Sequence, residues 1–377
     1  MAFTQYRTKL FSLLSALISA AACATVLLYS GEAADAVRRG IEICGISVIP
    51  SLFPMMFLSQ YIVKSGAAEL AGKILDKPVR FLFGLPGICG IALLTAFVGG
   101  YPAGAKAAES FVESGMLTRR EGERLANMAF CAGPGFAIGM IGANLYKNKT
   151  VGLLILTAQA LSCIIIGITH HIISGGTSLP DKNTRNNTQI AHTPDAFVRS
   201  AADAASTMLN MCSFIILFQV IISMLDTVGV NSTAGKAGEA LGMGEWGNYL
   251  LPCLSEVTAG SILSVKGGLP FTAFIAGFGG FSVHFQNFAL CRAIKPRKSV
   301  YIMTRFFQGM LCGILVYAAL QLPLFSSVDL PTAGSVIDGS PAQFSQVSVE
   351  FGCIMLVMCL MSVICLPPNR FKEKITP

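Results

Sequence analysis

Charge is scarce in this 377-residue chain. Only 12% of its residues are Asp, Glu, Lys or Arg, about half the share of a soluble domain. There are four histidines and a single tryptophan. No Walker loop, HExxH or GxSxG occurs, and no carboxylate pair sits at helical spacing inside an apolar run, so nothing favours an enzyme. The twelve cysteines include no CxxC and no cysteine–histidine cluster. Most lie singly inside apolar runs (Cys44, Cys89, Cys163, Cys212, Cys312, Cys359). They read as small packing residues, not as disulfides or metal ligands. Alternating apolar and polar runs are missing too, which excludes a β-barrel. The net charge of +7 sits in short loops, so it does not point to nucleic acid.

Apolar sequence fills the space that charge leaves. Hydrophobic residues make up 53% of the chain and the mean hydropathy is +0.64. Many runs approach the ~20 residues that span a bilayer as helix. The fold class is an all-α polytopic membrane protein. Arg7 and Lys9 precede an apolar run over 10–29, read as an uncleaved first helix because it is long for a signal core. Further spans are expected at 41–63, 127–145, 150–173, 200–226, 270–291, 299–323 and 346–367. An amphipathic connector covers 64–80, and a polar loop covers 174–195. Thr118 followed by Glu121 forms a capping box, which starts a short helix that runs into the next span.

Two segments, 84–115 and 247–268, are apolar but interrupted. The first contains Gly99-Gly100-Tyr101-Pro102-Ala103-Gly104-Ala105-Lys106, the second Ser255-Glu256-Val257-Thr258-Ala259-Gly260-Ser261. Paired interruptions at corresponding places point to a transporter's binding site. If both are re-entrant hairpins, the loops rich in Lys and Arg fall on one side, including Arg292, Lys295, Arg297 and Lys298. That asymmetry puts both termini in the cytoplasm, with about eight transmembrane helices and two re-entrant helical hairpins. The order of features then repeats with inversion. Gln60 matches Gln219, Ala103-Gly104 matches Ala259-Gly260, and the run from Ala132 to Phe136 matches that from Phe278 to Phe281. The domains are an N-terminal helix (1–35), a first repeat (36–173), the polar loop (174–195), a second, inverted repeat (196–323) and a C-terminal region (324–377).

The interruptions and the spans after them supply the candidate substrate-binding residues. Gly100, Tyr101 and Pro102 start a half-helix whose free N–H groups, with Lys106 about a turn further on, attract an anion. The alternative is that the glycines allow close packing and Lys106 snorkels. Glu256, with Thr258, is a carboxylate inside an apolar segment. It could cap a helix, hold a proton or coordinate a cation. Asn127, Ser282, His284 and Gln286 stand in the facing spans. Ser282 and Gln286 share a helix face, and His284 points away unless the helix breaks near Gly279-Gly280. A lone buried histidine can equally be structural. No cofactor is expected; a proton or a sodium ion is the candidate coupling ion. The expected partners are a small anionic substrate and the lipid bilayer, with no nucleic acid.

These residues together resemble the YlbJ-type sporulation integral membrane proteins. The resemblance is carried by the stretch from Gly99 to Lys106, by Glu123-Arg124-Leu125-Ala126-Asn127, by Gly133-Pro134, by Glu256 to Gly260 and by Gly279 to Gln286. It covers roughly 40–320. That family carries the nucleoside recognition, or gate, domain, also seen in concentrative nucleoside and ferrous-iron carriers. The resemblance implies a role in endospore formation and movement of dipicolinate across the outer forespore membrane, alone as a homo-oligomer or with other sporulation membrane proteins. Ala103 and Ala132 stand where a more polar residue is expected. Two other roles fit the same family, a non-transporting scaffold in spore assembly and a nucleoside carrier.

Overall fold

The computed structural model describes residues 2–174, 193–240 and 246–323, and every regular element in them is a helix. Contacts divide the chain into two units, Met1–Ile41 with Ile216–Leu251, and Glu42–Ile215 with Pro252–Pro377. In the first unit α1 (Ala2–Leu28) and α2 (Ser30–Ile43) meet at a bend of 93°. Gly40 lies against the backbone of Ile216.

In the second unit a turn of π-helix (Cys44–Val48) leads into α3 (Ile49–Lys64). Then come α4 (Ala67–Phe83), α5 (Ile88–Gly99), α6 (Tyr101–Glu113) and α7 (Arg119–Met128). A π-helix over Gly135–Leu145 precedes α8 (Lys149–Ile173). The helix α9 (Thr193–Thr227) begins in this unit and ends in the first, which also holds α10 (Val230–Ala240) and the opening of α11 (Trp246–Ser255). The chain then forms α12 (Val257–Ser264), α13 (Leu269–Phe278), α14 (Gly280–Leu290) and α15 (Lys298–Leu320).

Both interrupted segments turn back on themselves. Gly100 has φ +81°, open to glycine at little cost. Ala96 and Gly104, four residues to either side, touch; a β-carbon built on Gly104 would lie 2.7 Å from that of Ala96. In a straight helix they would be about 12 Å apart. Cys253 and Gly260 close the second reversal in the same way, around Glu256.

Two helices end where the sequence suggests continuity. The capping box is present: the Thr118 hydroxyl accepts from the Glu121 N–H at 3.3 Å, and the Glu121 carboxylate accepts from the Thr118 N–H at 2.8 Å. The helix it starts does not run on, because α7 stops at Met128 and 129–132 are non-helical. The span expected at 270–291 is likewise broken, at Gly279 with φ +84°.

Among the described residues, three helices are each long and apolar enough to cross a membrane: Lys149–Ile173, Asp195–Thr227 and Lys298–Leu320. Counting the bent pairs as single spans brings the number to five. The span expected at 346–367 and most of the loop at 174–195 lie outside the described residues. Small residues set the closest helix contacts. Gly309 and Gly313 of α15 lie on the carbonyls of Phe274 and Pro270 in α13, a small-xxx-small spacing that lets backbones approach.

The reversal at Gly100 yields a first prediction. Gly104→Ala drives a methyl group into the Ala129 carbonyl and the Ala96 side chain, both on rigid backbone. It should cost about 1–3 kcal/mol, read as a lowered unfolding temperature in detergent. Gly139→Ala, where nothing lies within 4 Å, should leave that temperature unchanged.

Candidate functional site

The two reversals sit against the two helix breaks. Gly100 packs on Gly133, so that a β-carbon on Gly133 would be 2.9 Å from the Gly100 backbone. Glu256 and Val257 pack on Gly280 at the same distance. The breaks also meet each other, since the Phe130 ring covers Gly279. The Tyr101 hydroxyl donates to the Ala276 carbonyl at 2.5 Å, joining the first reversal to the end of α13.

Backbone groups at the first break take side-chain partners. The Ala132 N–H donates to Gln159 Oε1 at 2.8 Å, and the Phe130 carbonyl accepts from Gln308 Nε2 at 2.7 Å and from the Cys163 thiol at 3.0 Å. The Asn127 carbonyl, near the end of α7, accepts from Arg305. At the second break His284 Nε2 lies 2.8 Å from the Phe278 carbonyl.

The candidate residues therefore separate into groups. Tyr101 and Pro102 are buried at the first reversal, with Pro102 in the opening turn of α6. Glu256 is fully buried and caps α12, one oxygen accepting from the Ala259 N–H at 2.8 Å, with Thr258 buried beside it. Gln286 donates to Ser282 at 3.3 Å on one face of α14. His284 faces elsewhere, among Phe130, Phe278, Phe281 and Tyr301. The break at Gly279 precedes all three residues, so it does not turn them to a common face. Lys106 is half-buried in α6, five residues after Tyr101. Among the described residues it forms no ion pair with Glu256.

Several buried polar atoms here have no partner: Asn127 Oδ1, Gln159 Nε2, Glu256 Oε1, Ser261 Oγ, His284 Nδ1, Gln286 Oε1, Asn287 Oδ1 and Arg305 Nε. Native interiors leave few such atoms, and each calls for a guest or a cause. Sequence reasoning missed Gln159, Tyr301, Arg305 and Gln308. A signal was there, because Tyr301, Arg305, Gln308 and Cys312 recur at i, i+4, i+7 and i+11, one stripe of α15.

Residues 45–177 match the Gate family, described as nucleoside recognition. The chain is also 27% identical over 335 residues to the sporulation integral membrane protein YlbJ of Bacillus subtilis (strain 168), covering 81% of each chain. No solved structure matches it. The Gate match includes the first reversal, the first break and α8. Glu256, α14 and α15 lie beyond it.

A layer of polar clamps closes one end of this arrangement. Glu109 is buried and accepts from the N–H groups of Ala293 and Ile294, at 2.5 and 3.1 Å. Arg119 donates to the carbonyls of Ile294 and Lys295, at 2.7 and 2.9 Å. Glu123 accepts from the Arg297 N–H at 2.9 Å and from its guanidinium at 3.0 Å. Partial burial pushes the Glu123 carboxyl up, but these bonds and the nearby positive charge outweigh it and hold it below its ordinary value. Its stabilising contribution is therefore full above the ordinary carboxylate range and is lost as pH falls through its lowered value. Wild type and Glu123→Gln should differ in unfolding temperature near neutral pH and converge in acid. Releasing the layer with Glu109→Gln plus Arg119→Ala should raise maleimide labelling of the buried Cys291 about tenfold, read by peptide mass mapping.

Proposed function

We propose that this chain is a sporulation membrane carrier that moves a small anionic metabolite such as dipicolinate across the outer forespore membrane. The observation that carries the reading is the pair of helix reversals set on a pair of helix breaks, with unpaired polar atoms buried among them. Irregular backbone at membrane depth belongs where it is enclosed by protein or lines a path, and broken helices in two halves are how secondary carriers build a site. The sporulation setting draws on the similarity to YlbJ.

On this reading the repeats run over 36–173 and 196–323, and the reversals are re-entrant from opposite faces. The residues proposed to meet the substrate along its path, not all at one place, are Gly100, Tyr101, Pro102, Lys106, Asn127, Glu256, Thr258, Ser282, His284 and Gln286. Glu256 is the seat of the coupling proton or sodium ion. The clamp layer at 291–297 lies on the cytoplasmic side, where its basic residues belong.

The test is uptake of labelled dipicolinate by proteoliposomes holding the full chain. Wild type should accumulate it, and Lys106→Ala or Glu256→Gln should each lower uptake about tenfold or more. Uptake unchanged in both variants would sink the site assignment. Displacement by uridine and not by unlabelled dipicolinate would make the chain a nucleoside carrier instead.

A further inference from the structure

Arg305 is fully buried in α15, seven residues from its start, and so about 10 Å along the helix. It forms no ion pair among the described residues. An unpaired cation at such a depth is rare and marks an ion or substrate pathway. What holds it is neutral. One terminal nitrogen donates to Gln308 Oε1 at 2.5 Å and the other to the Asn127 carbonyl. Its plane is fixed by two aromatic rings, Phe130 at 4.4 Å and Tyr301 at 5.1 Å. Nε has no partner. A guanidinium has five N–H donors in a rigid fork that matches a carboxylate, and here one edge of the fork is unsatisfied.

The same residue is tied mechanically to the clamp layer. The helix α7 carries Arg119 at its first position and Asn127 near its last, about 12 Å apart. Arg119 holds the 291–297 turn, and Asn127 holds Arg305. Any motion of α7 that frees the turn also withdraws the carbonyl from the guanidinium.

We propose that Arg305 is the anion-binding residue of the transport site, pairing with a carboxylate of the cargo once α7 moves and the clamp opens. This rests on the carrier reading above and adds to it the residue that selects charge. Phe130 and Tyr301 keep the fork in one plane, so it meets a planar carboxylate without reorganising. Gln308 anchors the other side of the fork and the broken backbone at Phe130 together.

The experiment uses the full chain in proteoliposomes with labelled dipicolinate. Two competitors are compared: unlabelled dipicolinate and pyridine-2,6-dicarboxamide, its uncharged isostere. Wild type should take up the label and be displaced by the dicarboxylate at least about a hundredfold better than by the diamide. Arg305→Gln should lose most uptake and most of that preference. Arg305→Lys keeps the charge but not the fork; it should retain the preference with a raised KM, and it is the variant to read if Arg305→Gln does not fold. Arg120→Gln, an exposed cation, should behave as wild type. A folded Arg305→Gln with wild-type uptake and preference, or Arg305→Lys with wild-type KM, overturns the assignment alone. A wild-type protein that takes up no dipicolinate overturns the carrier reading, and this assignment with it.

Discussion

Backbone that leaves helix geometry inside an apolar fold must find partners among side chains, and this constraint organises the molecule. An amide without a partner in such surroundings costs roughly 2–7 kcal/mol, depending on the reference state. The last turn of α7 and the non-helical residues 129–132 meet it by drawing polar side chains from two long helices. Gln159 and Cys163 come from α8; Arg305 and Gln308 come from α15. Those four residues explain why two apolar helices carry a polar stripe, and why α8 and α15 pack through Cys312 and Ser162 at 3.3 Å. The glycines follow from the same constraint. Gly133 and Gly280 let a second backbone come close enough to cover each break.

The places where the chain breaks were partly legible in the sequence. Gly100 and Gly279 adopt positive φ, and Pro102 opens a helix, so residue type alone marked them. The capping box at Thr118 was legible because both partners lie within one turn. The end of α7 was not. Gly133 and Pro134 mark a break close by, but the residues 129–132 before them take partners from α8 and α15, which are remote in sequence. Its fate is decided by tertiary contacts. The burial of Arg305 was illegible for a related reason, although its place on the polar stripe of α15 could be read. A lone arginine close behind Lys298 looks like the cytoplasmic end of a span, and only the approach of Asn127 and Phe130 encloses it.

Lys106 and Glu256 stood out in the sequence as a cation and a carboxylate near the two interruptions. Among the described residues no ion pair joins the two. The charged pair that the centre does bury whole is Glu256 and Arg305. Neither forms an ion pair among the described residues, and each keeps an unpartnered atom.

That shared deficit has a direct consequence for a carrier. Burying an isolated charge costs several kcal/mol even after relaxation, so a site holding two of opposite sign is most stable when each meets a guest of the other sign. On the proposed reading, a carboxylate of the cargo answers Arg305, and a proton or sodium ion answers Glu256. Either guest alone leaves one buried charge unmet, which favours joint occupancy and penalises movement of the half-loaded site. Coupling would then arise from the desolvation cost of the two side chains, with no need for them to touch. The helix α7 links that condition to access, because the carbonyl that shields Arg305 and the side chain that holds the 291–297 turn belong to one rigid rod.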